Sequence, residues 1–302
     1  MPNLLSLTDL GAQGLLTLLD RADRFKDERN TTTERPLAGK SIALVFEKAS
    51  TRTRLSLEIA VTELGGHPVV LTTSGSQMGR GEPISDTARV LSRMVHAITF
   101  RTAGQARFNE MVKYSSVPVL NALTDEGHPM QLLADLMTVR RAKGRLKGLK
   151  YAWIGDGNNM AASWIEAAGL LGLKLVLACP NGYDPDPRVV AESKRLGADV
   201  TIVRDPAVAV READVISTDV FASMGQEEEH QQRLTDFAGM TLTKELLSSA
   251  NPGYVVLHCL PAHRGEEIAE DVLEESPYVW DEAEARLHTS KAAFLWALGL
   301  HG

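Results

Sequence analysis

Ser50-Thr51-Arg52-Thr53-Arg54 packs three hydroxyls and two guanidinium groups into five consecutive residues. The stretch follows Ser41-Ile42-Ala43-Leu44-Val45, an apolar, partly β-branched run that reads as a buried strand. It precedes Leu55 to Leu64, whose apolar residues recur at three-to-four spacing and stop at Gly65-Gly66, a helix C-cap signal. Ser50 therefore falls at the place favoured for a helix N-cap. The first-turn amides of such a helix point outward, and its dipole favours negative charge. Two arginines in that turn oppose the dipole unless an anion sits between them. The pattern points to an oxyanion site, with phosphate as the natural occupant, rather than to a plain capped helix start.

Other chemistry-bearing residues fall at equivalent places. Arg52, Arg101, His128, Asp219 and Cys259 all come just after predicted strands. Ligands of open parallel sheets collect at the carboxyl ends of the strands. Taken singly, each has a structural reading, an arginine as a surface ion pair or His128-Pro129 as a turn. Their joint placement implies an active-site cleft between two domains. Gly155-Asp156-Gly157-Asn158-Asn159-Met160 resembles the start of a dinucleotide fingerprint but carries Met160 where the third glycine belongs. The next strand ends at Cys179-Pro180-Asn181, with no acidic residue placed for a ribose. No nicotinamide cofactor is expected. His258, Cys259 and His263 invite a metal reading, yet one cysteine and two histidines on a strand end and its loop match no zinc pattern. Cys259 as an acyl-forming nucleophile would need a base. Neither a metal nor an organic cofactor is expected.

The elements that position these residues alternate in type along the chain. Leu7 to Arg29 reads as an amphipathic helix that Ser6 or Thr8 could cap. Strands are predicted at 41–45, 68–72, 97–100 and 117–123, and helices at 55–64, 84–95, 106–114 and 130–143. Gly144-Arg145-Leu146-Lys147-Gly148 is a basic, glycine-punctuated joint. The pattern then restarts, with strands at 151–154, 173–179, 200–203, 215–217 and 254–258 and helices at 160–171 and 188–196. A last helix, Asp281 to Leu298, is long enough to return to the first domain. Such alternation implies parallel sheets with crossover helices. The fold class is α/β, with two domains that are each a parallel β-sheet flanked by helices. The domains are set at 1–144 and 145–280, with 281–302 as the returning helix.

Composition narrows the function classes. The 302 residues are 44% hydrophobic, enough for two cored domains. No apolar run approaches the length of a membrane span, and no secretory segment opens the chain. Two cysteines 80 positions apart, Cys179 and Cys259, suit a reduced cytoplasmic protein. A formal charge of −7 argues against a general nucleic-acid or membrane-surface binder. A basic anion pocket in this chain is a local inversion of its overall field.

Four stretches together carry a resemblance. Phe46-Glu47-Lys48 with Ser50-Thr51-Arg52-Thr53-Arg54 resembles the carbamoyl-phosphate signature of the aspartate/ornithine carbamoyltransferase family. His128-Pro129-Met130-Gln131 resembles its His-Pro-x-Gln element. Asp219-Val220-Phe221-Ala222-Ser223-Met224-Gly225 and His258-Cys259-Leu260-Pro261-Ala262 are similar to the ornithine branch. The resemblance spans both predicted domains. It implies transfer of a carbamoyl group from carbamoyl phosphate to the side-chain amine of ornithine, within arginine metabolism. It further implies that Ser50, Thr51, Arg52 and Thr53 hold the phosphate. Arg101 and His128, with Thr53, would polarise the carbamoyl oxygen. Gln131 and the backbone around Cys259 and Leu260 would bind the carbamoyl nitrogen, next to Pro129 and Met130. Arg286 would be a further arginine at that site, and Gln77 would reach across a subunit interface of a homotrimer. Asn159, Asp219, Ser223 and Met224 would hold the amino acid.

The chemistry is intelligible on its own terms. Carbamoyl phosphate is a small dianion whose carbonyl must become an oxyanion, so preorganised cations and donors suit it. The attacking amine resembles lysine, with a pKa near ~10.4, and at neutral pH about one molecule in a thousand is uncharged. Asp219 is assigned to the α-ammonium and Cys259 to the reacting amine. Met130 stands where many ornithine enzymes have cysteine, and Phe221 where they have tryptophan. Gln226 to Arg233 reads as a hydrophilic lid that carries Ser223 and Met224 inward. An aspartate-specific enzyme would need cations for a second carboxylate, which Asp219 would repel. A putrescine enzyme, or a non-catalytic anion-binding paralogue, is the alternative.

Overall fold

The computed structural model describes residues 1–222 and 227–300. Two compact units divide the chain, Met1–Met137 with Glu284–Gly302, and Thr138–Ala283. In the first unit, β1 (Ser41–Phe46), β2 (His67–Thr72), β3 (Ala97–Arg101) and β4 (Val119–Leu123) form a sheet in the order β2-β1-β3-β4. Every pairing in it is parallel. Helices α1 (Gly11–Asp27), α2 (Thr51–Glu63), α3 (Ile84–Leu91), α4 (Gln105–Tyr114) and α5 (Pro129–Lys143) surround or follow these strands. The division between units falls inside α5.

In the second unit, β5 (Lys150–Ile154), β6 (Lys174–Ala178), β7 (Asp199–Val203), β8 (Val215–Thr218) and β9 (Val255–His258) pair in the order β7-β6-β5-β8-β9, again all parallel. Its helices are α6 (Asn159–Leu171), α7 (Pro187–Arg195), α8 (Pro206–Val210), α9 (His230–Asp236), α10 (Lys244–Leu247) and α11 (Glu270–Glu275). Helix α12 (Tyr278–Ala297) starts here and ends in the first unit.

Burial shows which strands are covered on both faces. Ile42 to Phe46 are all buried, as are all four residues of β9, so neither strand alternates. Continuous apolar runs are the mark of strands covered on both faces. β2 is half-buried and sits at an edge, which is where Pro68, lacking an amide hydrogen, is tolerated. Phe100 and Phe108 pack in the first core, and Phe221 stacks on Phe237 at 4.7 Å in the second.

Some elements differ from the sequence expectation. The helix expected over 84–95 ends at Leu91, where the Ser92 hydroxyl turns back to the Ala88 carbonyl at 2.7 Å. The amphipathic segment at the start divides into a 3₁₀ turn, Leu7–Leu10, capped by Ser6 and closed by Asp9, and then α1. Helices α8 to α11 are each seven residues or shorter. Two turns are too few for a helical period to register in sequence.

Candidate active site

Both sheets reverse their strand order beside a central strand, and candidate site residues lie in the loops that follow those strands. In the first unit the reversal lies between β1 and β3. The chain leaves β1 at Phe46, and the Glu47 amide donates to the Arg101 carbonyl at 2.9 Å. The Glu47 carboxylate accepts from Arg107 Nε at 3.0 Å and from the Thr102 hydroxyl. Burial raises the Glu47 pKa, but hydrogen bonds from Arg107 and Thr102 outweigh it and hold the carboxyl below its usual range. Glu47 thereby clamps the turn that leads into α2.

Ser50 occupies the N-cap place with extended backbone (φ −158°, ψ 114°), yet its side chain makes no capping hydrogen bond. No acidic residue stands in the first turn either. The start of α2 thus has no side-chain cap, the arrangement in which helix amides are able to take an external anion. The two arginines of this turn have separate fates. Arg54 is exposed and pairs with Glu58 at 3.1 Å, one turn on. Arg52 keeps a buried Nε with no hydrogen-bond partner among the described residues. Thr53 is buried, and its hydroxyl oxygen accepts from Arg101 Nη1 at 3.4 Å and from Arg286 Nη2.

His128 lies close to the same cations. Burial, then the charges of Arg286 and Arg101, push its pKa well below the usual imidazole value. At neutral pH the ring is uncharged, which suits a hydrogen-bond donor to a developing oxyanion. Gln131 is buried in the first turn of α5, with Nε2 donating to Asp135 Oδ1 at 2.9 Å and its amide to the His128 carbonyl at 3.0 Å. Pro129 opens that helix at a position where its missing amide hydrogen costs nothing. Met130 is buried beside them. A cavity of ≈ 620 Å³ reaches Ser50, Thr51 and Arg54, but its lining includes neither Arg101 nor His128. The polar convergence on Thr53, rather than the cavity, is the better marker of chemistry. Gln77 lies apart, exposed at the start of a 3₁₀ turn, Gln77–Arg80.

In the second unit the reversal lies between β5 and β8. Here Asn158 caps α6, its side chain accepting from the amides of Met160 at 2.9 Å and Ala161 at 3.2 Å. Asn158 Nδ2 also donates to Asp219 Oδ2 at 3.1 Å. The other Asp219 oxygen accepts from Cys259 Sγ at 3.1 Å and from the Val220 amide at 2.8 Å. Asn159, the expected substrate ligand, is the first residue of α6. A Cβ on Gly157 would lie 2.1 Å from the Pro185 nitrogen, so glycine is required by the backbone crossing here. That crossing accounts for Gly157, while Gly155 is the glycine with a positive φ of 142°.

Behind Cys259 lies a buried pair that the sequence did not suggest. His258 Nε2 meets Glu267 Oε1 at 2.9 Å, and His258 Nδ1 accepts from the Leu260 amide at 2.9 Å. Glu267 Oε1 also accepts from the His263 amide at 2.6 Å. Leu260 adopts a left-handed conformation (φ 56°), costly for a branched side chain and sustained by this network. The His258 amide donates to Glu282 at 3.0 Å. The other cysteine, Cys179, is buried, and desolvation pushes its thiol up to about 12, which leaves it inert.

The fold therefore gathers Thr53, Arg101, His128 and Arg286 in one unit, and Asp219 with Cys259 in the other. Ser223 and Met224 lie outside the described residues. Arg233, read as part of a hydrophilic lid, is buried instead, donating to Asp156 at 2.7 Å and to the Phe221 carbonyl at 3.0 Å. Phe221 is a core residue. Sequence reasoning missed Asn158, although an asparagine before an apolar helix is an N-cap signal. It also missed Glu267, for which no local pattern exists.

The family model "Aspartate/ornithine carbamoyltransferase, carbamoyl-P binding domain" matches residues 2–141. The model of the Asp/Orn binding domain of the same family matches residues 147–297. The ornithine carbamoyltransferase of Geobacter metallireducens is 52% identical over 292 residues, covering 95% of this chain and 96% of the relative. The ornithine carbamoyltransferase structure from Pyrococcus furiosus superposes with a TM-score of 0.94 at 44% identity, covering 100% of this chain and 98% of that one. The anabolic enzyme from Campylobacter jejuni gives 0.95 at 36% identity, with 100% of both chains covered.

Proposed function

This chain belongs to the aspartate/ornithine carbamoyltransferase family, and we propose that it moves the carbamoyl group of carbamoyl phosphate onto the side-chain amine of L-ornithine, giving L-citrulline and phosphate. The observation that carries the reading is the convergence of Arg101 and Arg286 on the Thr53 hydroxyl, beside a neutral His128. A phosphate alone does not need a neutral imidazole next to two guanidinium groups, whereas a carbonyl that becomes an oxyanion does.

In this mechanism the α2 amides, with Ser50, Thr51, Arg52 and Thr53, hold the leaving phosphate. Arg101, His128 and Arg286 stabilise the oxygen as charge develops on it, and Gln131 takes the carbamoyl nitrogen. Asp219, oriented by Asn158, binds the α-ammonium of ornithine, with Asn159, Ser223 and Met224 completing that pocket. Cys259 faces the reacting amine, and the Leu260 backbone supports the carbamoyl group. An ammonium of pKa near ~10.4 must lose its proton first, a cost of roughly 4–5 kcal/mol at neutral pH. The new C–N bond then forms at the carbamoyl carbon as the C–O bond to phosphate breaks. Residues 1–144 serve carbamoyl phosphate, 145–280 serve ornithine, and 281–302 bring Arg286 to the first unit. The reading extends to arginine biosynthesis in the cytoplasm and to a homotrimer in which Gln77 reaches a neighbouring subunit's site. Among the described residues no helix is long and apolar enough to cross a membrane.

The test offers ornithine, putrescine and aspartate separately with carbamoyl phosphate. Citrulline forms with ornithine, and neither other acceptor approaches its turnover. Bound carbamoyl phosphate without citrulline would overturn the assignment.

A further inference from the structure

His263 follows Cys259 by four positions, but the fold brings its ring to a different pair of residues. Nδ1 of His263 lies 3.5 Å from Glu266 Oε2, and Nε2 of His230 lies 3.1 Å from the same oxygen. One ligand atom from each of these three residues falls within 4.8 Å of the others. We infer that His230, His263 and Glu266 form a binding site for a divalent transition-metal ion such as Zn²⁺, separate from the residues proposed for carbamoyl transfer.

The spacing suits such an ion. Zn²⁺ held tetrahedrally by nitrogen and oxygen donors at about 2.0–2.1 Å sets its ligand atoms roughly 3.3–3.5 Å apart. The two separations to Glu266 bracket that range closely. Two imidazoles and one carboxylate prefer zinc, nickel or cobalt to magnesium or calcium, which favour all-oxygen sets.

The scaffold is largely preformed. His263 and Glu266 sit on one closed turn, in which the Glu266 amide donates to the His263 carbonyl at 3.0 Å and Gly265 to Ile268 at 2.8 Å. The Glu266 carbonyl accepts from the Thr241 hydroxyl at 2.6 Å, and the His263 amide is held by Glu267. His230 opens α9, which the buried Arg233 anchors to Asp156 and to the Phe221 carbonyl. All three side chains retain exposure, 39% for His230, 45% for His263 and 26% for Glu266, so an ion enters from solvent and keeps water in its remaining position.

A second cluster of ligating atoms, Asp219, His258 and Cys259, competes for the same assignment. Both ring nitrogens of His258 are already engaged there, with Glu267 and with the Leu260 amide. A metal at that place must break the hydrogen bonds that hold the Leu260 turn. The outer cluster gives up the His230–Glu266 side-chain hydrogen bond, which the ion replaces with its own bonds to the same two atoms, and no backbone hydrogen bond of the turn is lost. Its ion ties α9 to the turn that carries Glu267, and it acts as a staple with no part in bond making.

The full chain, stripped of metal with chelator and dialysed, is titrated with ZnCl₂ by calorimetry and melted with and without the ion. Binding of one ion per chain is expected, with a raised melting temperature. His230→Gln and Glu266→Gln each weaken binding at least ~10-fold, while Cys259→Ser leaves it intact. Melting of the metal-free variants at the wild-type temperature separates loss of ligand from loss of fold. The inference is overturned by an absence of zinc binding, by full-strength binding in both variants, or by binding lost in Cys259→Ser and kept in His230→Gln.

Discussion

Two turns of this protein occupy the same topological place and do opposite things. Residues 47–50 join an inner strand of the first sheet to α2, and residues 155–158 join the central strand of the second to α6. At the first, the N-cap serine leaves the helix amides without a side-chain acceptor, and basic residues follow. At the second, Asn158 takes two of those amides for itself and turns its amide group toward Asp219. An uncapped helix start invites an anion, whereas a capped one becomes a rigid platform for an acidic side chain. In the proposed function, equivalent geometry serves a phosphate in one unit and an ammonium in the other. The choice rests on whether a single side chain turns back onto its own helix.

The division of labour breaks most visibly at Arg101. Arg101→Ala is expected to lower citrulline turnover by about 10²–10³-fold, the usual effect of losing one oxyanion donor. The KM for ornithine should stay within about twofold of wild type, since binding shared by ground and transition states is not what this residue supplies. If steady-state kinetics instead show an unchanged kcat and a raised ornithine KM, the two turns do not serve separate substrates.

A smaller effect comes from His128. Burial and the neighbouring Arg286 and Arg101 hold its folded pKa well below the ordinary value. The unfolded ring titrates near ~6.5. Below that pH the unfolded chain binds a proton that the folded chain refuses, so this contribution to stability is present above ~6.5 and lost as the pH falls. The slope reaches about 1.4 kcal/mol per pH unit for one such group. Urea unfolding across a pH series should show His128→Asn with a shallower acid loss than wild type. Parallel curves would remove His128 from the argument.

The smallest expected change tests the caps directly. Asn158→Ala should cost about 1 kcal/mol of stability, as for a lost N-cap, and raise the ornithine KM through Asp219. Ser50→Ala, which removes no cap, should cost no more than a few tenths of a kcal/mol, the scale of an ordinary surface change, and should raise the carbamoyl-phosphate KM instead. Denaturation midpoints and paired KM values for the two variants check this, and equal stability losses would erase the distinction between the turns.

Much of this architecture was legible in the residues themselves. The strand from Ser41, the helix into Gly65, and the placement of Arg101 at the end of a strand and of Arg52, His128, Asp219 and Cys259 after strands all follow from local patterns of burial and turn chemistry. Those patterns are short-range, because a side chain's alternation or three-to-four spacing is set within its own element. The tertiary structure decided what lies beyond that range. Arg286 meets Thr53 across 233 positions of sequence, Asn158 meets Asp219 across 61, and Glu267 closes behind His258 although nothing nearby announces it. Which loops become neighbours depends on strand order, and strand order is settled by packing among distant segments. Whether Ser50 caps its helix is likewise a matter of side-chain geometry that its residue type leaves open. Residue types alone therefore determined a strand-to-helix turn suited to an anion and a set of candidate groups. Only the packed sheets determined that the hydroxyl of Thr53, and not the cap of Ser50, is where the cations converge.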